Sequence, residues 1–158
     1  TGVVFIAPSL TTFSNLNPSF RVFEADSDTH TILNYYQYRL NLTKWNKNTT
    51  GPLSWDLAYD ALSAYQLPDL SPASVEAFVE RMAKDKQLMS TYISHFYTGN
   101  VPKKVPHEKV FYCYAKHGVF IEAFKCAFPH DLKHLMLVIQ QYLPGRWYSF
   151  DNDQNIDI

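Results

Sequence analysis

The hydrophobic pattern changes its period once along the chain, at Gly51-Pro52. Before that point, residues 2–7 form a continuous apolar run that is typical of a buried strand, and residues 20–25 predict a second strand. Residues 30–42 alternate and predict a half-buried third strand, paired antiparallel with residues 20–25. The odd positions of this third strand are mostly polar, and five even positions form an apolar face that we expect to be its buried side: Ile32, Tyr36, Tyr38, Leu40 and Leu42.

After Gly51-Pro52 the apolar residues recur at helical spacing. This spacing predicts a helix over 55–65, and Ser71-Pro72 is a typical helix start. An apolar face then continues to Phe96, with Asp85 placed to cap a second helix and divide the run. Further helices are predicted over 108–117 and from Pro129 to Leu143, separated from the others by the Pro- and Lys-containing connector at 101–106.

The order of elements predicts an α+β protein, with strands first and about five helices after them. We divide it into residues 1–50, which carry the strands and a polar loop, a helical subdomain over 51–145, and a tail over 146–158. The chain begins inside an apolar run and without an initiator Met, so we expect a piece of a larger protein.

Composition narrows the possible functions. Hydrophobic residues make up 46% of the chain and charged residues 18%, which is typical of a globular domain. A net charge of -1 offers no electrostatic basis for nucleic-acid binding. No apolar run approaches the roughly 20 residues that a membrane-spanning helix needs, so we predict no transmembrane segment.

The titratable residues do not assemble into a recognisable catalytic or metal-binding motif. Of the six histidines only His130 and His134 have ligand spacing, and with Lys133 they lie on the polar side of the predicted last helix. No nucleophile elbow or glycine-rich phosphate loop is present. We therefore assign no catalytic and no metal-binding residue to this chain.

Two sequons and two cysteines bear on the compartment. Asn41-Leu42-Thr43 and Asn48-Thr49-Thr50 are glycosylation sequons, and both together favour a protein of the secretory pathway. Cys113 and Cys126 are close enough in sequence to form a disulfide, which would stabilise the fold by roughly 3 kcal/mol in the entropic model. Two separate buried thiols are the alternative.

The segment from Pro8 to Pro18 is rich in Ser, Thr and Asn and follows directly on the first apolar run. Polar loops at the end of a buried strand often deliver hydrogen-bonding groups to a pocket. The same residue types are also ordinary turn formers, so composition alone leaves both interpretations open.

Four segments of the chain resemble one family in the same order. Ala-Pro-Ser-x-Thr-Thr-Phe at 7–13, followed by Leu-Asn-Pro-x-Phe-Arg-Val-Phe at 16–23, resembles the segment after the last metal-binding histidines of acid sphingomyelinases. Residues 38–46 resemble their Tyr-x-Leu-Asn-Leu-Thr segment, residues 64–72 their Tyr-Gly-Leu-Pro turn, and residues 81–88 their Arg-Met-x-x-Asp-x-Gln-Leu helix. Acid sphingomyelinases and their sphingomyelinase-like relatives are calcineurin-like metallophosphoesterases.

This resemblance implies the C-terminal portion of a secreted or lysosomal zinc phosphodiesterase: the last strands of a β-sandwich, then a helical subdomain. The full protein would hydrolyse sphingomyelin, or a related phosphodiester, to phosphocholine and ceramide. Its zinc ligands and catalytic acid would lie upstream of Thr1, so the partners implied are that upstream catalytic domain and, through it, the phosphodiester lipid. The spacing of Cys113 and Cys126 matches the last disulfide of the family.

The resemblance also places residues at the edge of the substrate pocket. Phe13 falls where the family has an aromatic residue, usually Tyr, and we expect Thr12, Phe13 and Asn17 at this edge. Phenylalanine lacks the hydroxyl that a tyrosine would offer for hydrogen bonding. A second family disulfide would require cysteines at about Lys103 and His107, so it cannot form in this chain.

A different class of function also fits the sequence. The aromatic residues make up 16% of the chain and recur in its helical half, where they could form a surface for a partner protein or a lipid. The alternative to a phosphodiesterase fragment is therefore a non-catalytic binding or structural module.

Overall fold

The computed structural model describes residues 2–12, 15–47 and 50–129. The chain divides into two compact units, Thr1–Ala127 and Phe128–Ile158. The first unit combines a three-stranded antiparallel sheet with helices, which confirms the predicted α+β class. Its elements are, in chain order, β1 (Ser19–Ala25), β2 (Ile32–Arg39), α1 (Leu42–Trp45), β3 (Asp56–Asp60), α2 (Ala61–Tyr65), α3 (Pro72–Met82), α4 (Lys86–Phe96), α5 (Glu108–Lys116) and α6 (Phe120–Ala127).

The hairpin of β1 and β2 forms as predicted. The two strands are antiparallel, with Phe20 opposite Tyr38 and Phe23 opposite Tyr35. Asp26 closes the turn, because its carboxylate accepts the backbone N–H groups of Asp28 and Thr29 at 3.1 and 2.7 Å. β2 is the central strand, since β3 pairs with its other edge.

The prediction of which side of β2 faces the core was wrong. Tyr35 and Gln37, at odd positions, are 7% and 4% exposed, and Tyr35 belongs to the main core with residues of α2, α3 and α4. The even side carries Tyr36 and Tyr38, as expected, but it is only half-buried. Its neighbours Val22 and Leu57 are 46% and 55% exposed. The helices cover the odd side of the sheet, although the alternating pattern favours the even side, because the packing of the helices on Tyr35 is not encoded in that pattern.

The predicted helix over 55–65 is correct only in its second half. Residues 56–60 are strand β3, which pairs with β2 through Gln37 opposite Tyr59 and Tyr36 opposite Asp60. Asp60 then caps α2, and its carboxylate accepts the N–H of Ser63 at 3.0 Å. Residues 56–60 form a strand because pairing with the free edge of β2 outweighs the helical spacing of their apolar residues.

The predicted strand over 2–7 was also wrong, because these residues form no ladder in the described part of the chain. The segment passes outside β1, where the carbonyl of Ile6 accepts a hydrogen bond from Arg21 at 3.1 Å. Phe5 packs on Phe23 and Tyr35, with ring centroids 6.0 and 5.9 Å apart, whereas Val4 is 77% exposed. A run of β-branched residues forms a strand only where a neighbouring strand accepts its hydrogen bonds.

The helices follow their predicted caps. Ser71 accepts the N–H of Ser74, with Pro72 in the first turn, and Asp85 accepts those of Gln87 and Leu88. Asp85 therefore divides the long apolar run into α3 and α4, as predicted, and α5 ends before Gly118. Helix α6 was not predicted. The helix predicted from Pro129 to Leu143, with His130 and His134, and the tail lie outside the described residues apart from Pro129.

The main core lies between the odd side of the sheet and α2–α5. Its buried members come from all of these elements and from the turn after α2: Tyr35, Ala61, Tyr65, Leu67, Leu70, Phe78, Val79, Met82, Leu88, Met89, Ile93 and Phe111. No described helix is long and apolar enough to cross a bilayer. The boundaries predicted at residues 50 and 145 stay a prediction.

Candidate functional site

Hydrogen bonds anchor the described parts of the predicted pocket-edge loop, residues 8–12 and 15–18. Ser9 lies at its first turn, with its hydroxyl accepting the N–H of Thr11 at 3.0 Å and its carbonyl accepting that of Ser19 at 2.9 Å. The carbonyl of Thr12 accepts the N–H of Asn15 at 3.1 Å. Thr12 is exposed, and Phe13 lies outside the described residues.

Asn17 occupies a buried junction and is 8% exposed. Its backbone N–H donates to the Thr98 hydroxyl at 2.8 Å, and its side-chain amide donates to the Thr98 carbonyl at 2.9 Å. Its side-chain oxygen accepts the N–H of Leu42, which opens α1, at 3.2 Å. Asn17 therefore joins the loop, the turn after α4 and the start of α1, whereas the side chain of Thr12 is exposed to solvent.

The turn after α4 supplies the oxygen atoms that accept the hydrogen bonds of Asn17. From its sequence this turn is recognisable only as a helix end. Thr98 and Gly99 have φ values of 51° and 77°. A side chain at Gly99 would overlap the guanidinium of Arg39, which donates to the Thr98 carbonyl at 3.4 Å. The Asn100 amide donates to the carbonyl of Asn15 and adds a second link to the loop. These contacts join residues 59 to 85 positions apart, so local sequence contains no signal for them.

An aromatic cluster around His95 lies beneath the sheet. The His95 ring stacks on Tyr59 with centroids 3.8 Å apart, and its Nδ1 shares a hydrogen bond with the Tyr65 hydroxyl at 3.0 Å. Burial raises the pKa of Tyr35 and Tyr65. Burial, and next the charge of Arg39, lower the pKa of His95 from 6.5 to about 4. His95 is therefore neutral at pH 7 and acts as a packing residue.

We expect this histidine to make the fold less stable in acid. Its pKa is lower in the folded than in the unfolded chain, so the unfolded chain binds the proton more tightly, and stability falls as the pH drops from 6.5 to about 4. Because His95 is half-buried, solvent screening reduces the effect to about 1 kcal/mol. Urea unfolding at pH 7 and pH 4 should show a smaller acid loss for His95→Gln than for the unmodified chain. An equal loss in both would contradict the prediction.

The predicted glycosylation sites fall on the α1 region. Asn41 is half-buried and caps α1, with its side-chain oxygen accepting the N–H of Lys44 at 3.1 Å. An N-linked glycan attaches to the side-chain nitrogen, which this cap does not use. Asn48 lies outside the described residues, and glycosylation of both sites stays a prediction.

Cys113 and Cys126 form a disulfide, which settles the alternative left open by the sequence. Their Cα atoms are 5.7 Å apart, and the bond joins α5 to α6. Cys113 is fully buried, and Phe124, one turn before the end of α6, is 2% exposed. The bridge thus attaches a helix that lies largely outside the main core cluster.

A zinc ion does not fit the described residues. Within 2–12, 15–47 and 50–129 there is no group of three or more His, Cys, Asp or Glu side chains that could hold a metal ion. Both cysteines are oxidised, so they supply no thiolate ligand. No step of a reaction is therefore assigned to a metal on this chain.

A cavity of about 510 Å³ lies between the N-terminal segment, α3 and the α5–α6 pair. Its walls are largely apolar, and neither Thr12 nor Asn17 is among the described residues that line it. Lys116 donates to Glu80 at 2.7 Å and to the Tyr112 hydroxyl at 2.8 Å. The hydrogen bonds from Lys116 and then from Tyr112 lower the pKa of Glu80. Glu80 and Lys116 are thus paired with one another and connect α3 to α5.

Comparison with known proteins relates the chain to one group of enzymes. Sphingomyelin phosphodiesterase A of Dictyostelium discoideum is 38% identical over 95 residues, covering 60% of this chain and 16% of the relative. Human sphingomyelin phosphodiesterase is 37% identical over 106 residues, covering 65% and 17%. The mouse cyclic GMP-AMP phosphodiesterase SMPDL3A is 37% identical over 102 residues, covering 60% and 22%. The matches thus span about a fifth of the length of these relatives.

The family described as the acid sphingomyelin phosphodiesterase C-terminal region matches residues 1–115. The matched range contains the polar loop, the sheet, α1–α4 and all of α5 except its last residue, and it ends before Cys126. The resemblance seen in the four sequence segments is therefore confirmed, and this chain belongs to the family of acid sphingomyelin phosphodiesterase C-terminal regions.

Proposed function

We propose that this chain is the C-terminal part of a zinc-dependent phosphodiesterase that hydrolyses sphingomyelin, or a related phosphodiester, to phosphocholine and ceramide. The observation that carries the proposal is the family match over residues 1–115, together with relatives named sphingomyelin phosphodiesterases. The relative named as a cyclic GMP-AMP phosphodiesterase is the reason for including related phosphodiesters.

In this proposal the chain contributes the rim of the pocket and no reacting group. The zinc ligands and the acid would belong to an upstream catalytic domain. The loop from Pro8 to Pro18 would border the pocket, with Thr12 and Phe13 toward substrate and Asn17 holding the loop from behind. The support is the anchoring of Asn17 to Thr98 and Leu42, which attaches the C-terminal end of the polar loop to the core.

The sheet would continue into the β-sandwich of the catalytic domain. Two observations support this arrangement. The even side of the sheet is apolar and exposed at Val22 and Leu57, and the apolar segment over 2–7 forms no ladder in the described structure. An apolar sheet face and a β-branched segment both gain stability from a second sheet.

We further propose that the protein is secreted or lysosomal. The disulfide between Cys113 and Cys126 supports this location, because such bonds persist in oxidising compartments. The two sequons at Asn41 and Asn48 point to the same route.

A non-catalytic module that docks on a partner is the second candidate function. The exposed apolar side of the sheet favours it, since Val22, Trp55 and Leu57 are 46%, 38% and 55% exposed. An isolated chain that stays monomeric with this side exposed would support the module, whereas aggregation that an upstream domain prevents would support the phosphodiesterase.

Two measurements test the proposed function: the coding sequence upstream of Thr1, and an assay of sphingomyelin hydrolysis. We expect the coding sequence before Thr1 to contain a Gly-His-x-His motif some 20 to 30 residues upstream, as the resemblance implies, and the whole protein to hydrolyse sphingomyelin only with zinc. Residues 1–158 alone, with zinc added, should not turn over sphingomyelin. Zinc-dependent turnover by this chain alone, or a gene without a metal-binding region, would overturn the proposal.

A further inference from the structure

The segment over residues 101–109, which runs from the connector after α4 into the first two residues of α5, is exposed at every position. It carries three lysines and a single acidic residue, Glu108, although the whole chain has a net charge of -1. The ion pairs of the described residues involve Lys44, Lys116 and Lys125, so Lys103, Lys104 and Lys109 are not engaged in them. The connector is therefore a local surplus of solvated positive charge, and we call residues 101–109 the basic connector.

Apolar side chains alternate with these lysines. Val101 and Val105 are 46% and 41% exposed, and Phe96, the last residue of α4, is 57% exposed. The Phe96 ring contacts Phe111, a core residue, with centroids 5.3 Å apart. The two valines thus add exposed apolar surface to the stretch that carries the lysines.

The basic connector is held at both ends. Thr98 and Asn100, which precede it, are bonded to Asn17 and Asn15 of the polar loop. At the other end His107 caps α5, with its Nδ1 accepting the N–H of Lys109 at 3.2 Å. The prolines at 102 and 106 restrict the backbone between these ends. The lysines and valines are thus presented from a defined place beside the loop.

We propose that the basic connector binds the surface of a bilayer that contains anionic phospholipids. Lys103, Lys104 and Lys109 would contact lipid phosphates and carboxylates, and Val101 and Val105 would enter the boundary between headgroups and acyl chains. Interfacial binding depends on both terms, apolar burial and attraction to anionic lipid. An acidic protein is the less suitable partner, since a connector with two prolines presents no strand edge or helix face for it.

This binding does not depend on the proposed hydrolysis, because no catalytic group is involved. It would place the polar loop, and with it any pocket that the loop borders, at the membrane surface. The attachment of Asn15 and Asn17 to the turn before the connector is the physical link between the two.

The test measures cosedimentation of the full oxidised chain with phosphatidylcholine vesicles, with and without phosphatidylserine. We expect binding only to the anionic vesicles. The double variant Lys103→Gln/Lys104→Gln should weaken it about 25-fold, since each lysine near an anionic surface contributes about fivefold. The matched control is Lys84→Gln/Lys86→Gln, which removes the same charge from two exposed positions, one between α3 and α4 and one at the first residue of α4, and should leave binding unchanged.

A second pair of substitutions separates lipid from other polyanions. Val101→Ser/Val105→Ser keeps every charge, and we expect it to weaken binding to anionic vesicles. Equal losses in the two lysine variants, no preference for anionic vesicles, or no effect of the valine variant would each overturn the proposal. Full displacement of the chain from vesicles by soluble poly-aspartate at matched charge would also overturn it and would favour an acidic protein.

Discussion

Removing the disulfide is expected to lower the free energy of unfolding by about 3 kcal/mol. Cys113 and Cys126 are 13 positions apart, and cross-linking them restricts the unfolded chain. The bond also joins α6 to the buried side of α5, where Cys113 is fully inaccessible to solvent. The measurement is urea unfolding of the oxidised chain and of the double variant Cys113→Ala/Cys126→Ala, followed by circular dichroism.

The control for this prediction is the unmodified chain under reducing conditions. It keeps both sulfur atoms in place and loses only the covalent bond, so it separates the cross-link from any change in packing at Cys113. We expect the reduced chain to unfold at a lower urea concentration, close to that of the double variant. Identical midpoints for the oxidised and reduced chains would show that the disulfide does not stabilise the fold.

Replacing Asn17 is expected to have an effect of similar size, about 2 to 3 kcal/mol. Asn17→Ala removes the partners of the Thr98 carbonyl and of the Leu42 N–H in a buried junction. Asn17→Asp has the same shape but turns a negative oxygen toward the Thr98 carbonyl, so we expect it to be at least as destabilising. Thermal or urea unfolding of both variants measures the loss.

Asn46→Ala is the matched control for Asn17, because Asn46 is exposed at the end of α1. We expect its effect to stay within about 0.5 kcal/mol. A change of that small size for Asn17→Ala would mean that the junction does not stabilise the loop. If the whole protein has the proposed phosphodiesterase activity, a fall in that activity beyond the loss of folded protein would show that Asn17 also acts at the pocket edge.

Much of the helical half could be predicted from local sequence. The caps at Ser71 and Asp85 are short-range signals, because each carboxylate or hydroxyl bonds to N–H groups within three residues. The hairpin of β1 and β2 is local for the same reason, since the turn at Asp26 joins adjacent strands. Helix α6 was not predicted, because Gly118 is a typical helix end and the sequence predicts the next helix only from Pro129.

The candidate site was predictable only in part. The polar loop and the disulfide follow from residue types and from the family resemblance. The junction of Asn17 with Thr98 does not, because it joins residues 81 positions apart. The turn at Thr98 and Gly99 reads locally as the end of α4, where the positive φ of Gly99 favours glycine, and only the structure shows that the guanidinium of Arg39 lies against it.

The local sequence determined the starts of α3 and α4, because the capping contacts of Ser71 and Asp85 lie within one turn of the chain. It also determined that β2 has aromatic residues on both sides. The tertiary structure decided that Tyr35 is buried and Tyr36 is not, because the helices pack on one side only. It likewise made residues 56–60 a strand and left residues 2–7 without a ladder, since a strand requires a neighbour to accept its hydrogen bonds, and a one-dimensional pattern does not specify that neighbour.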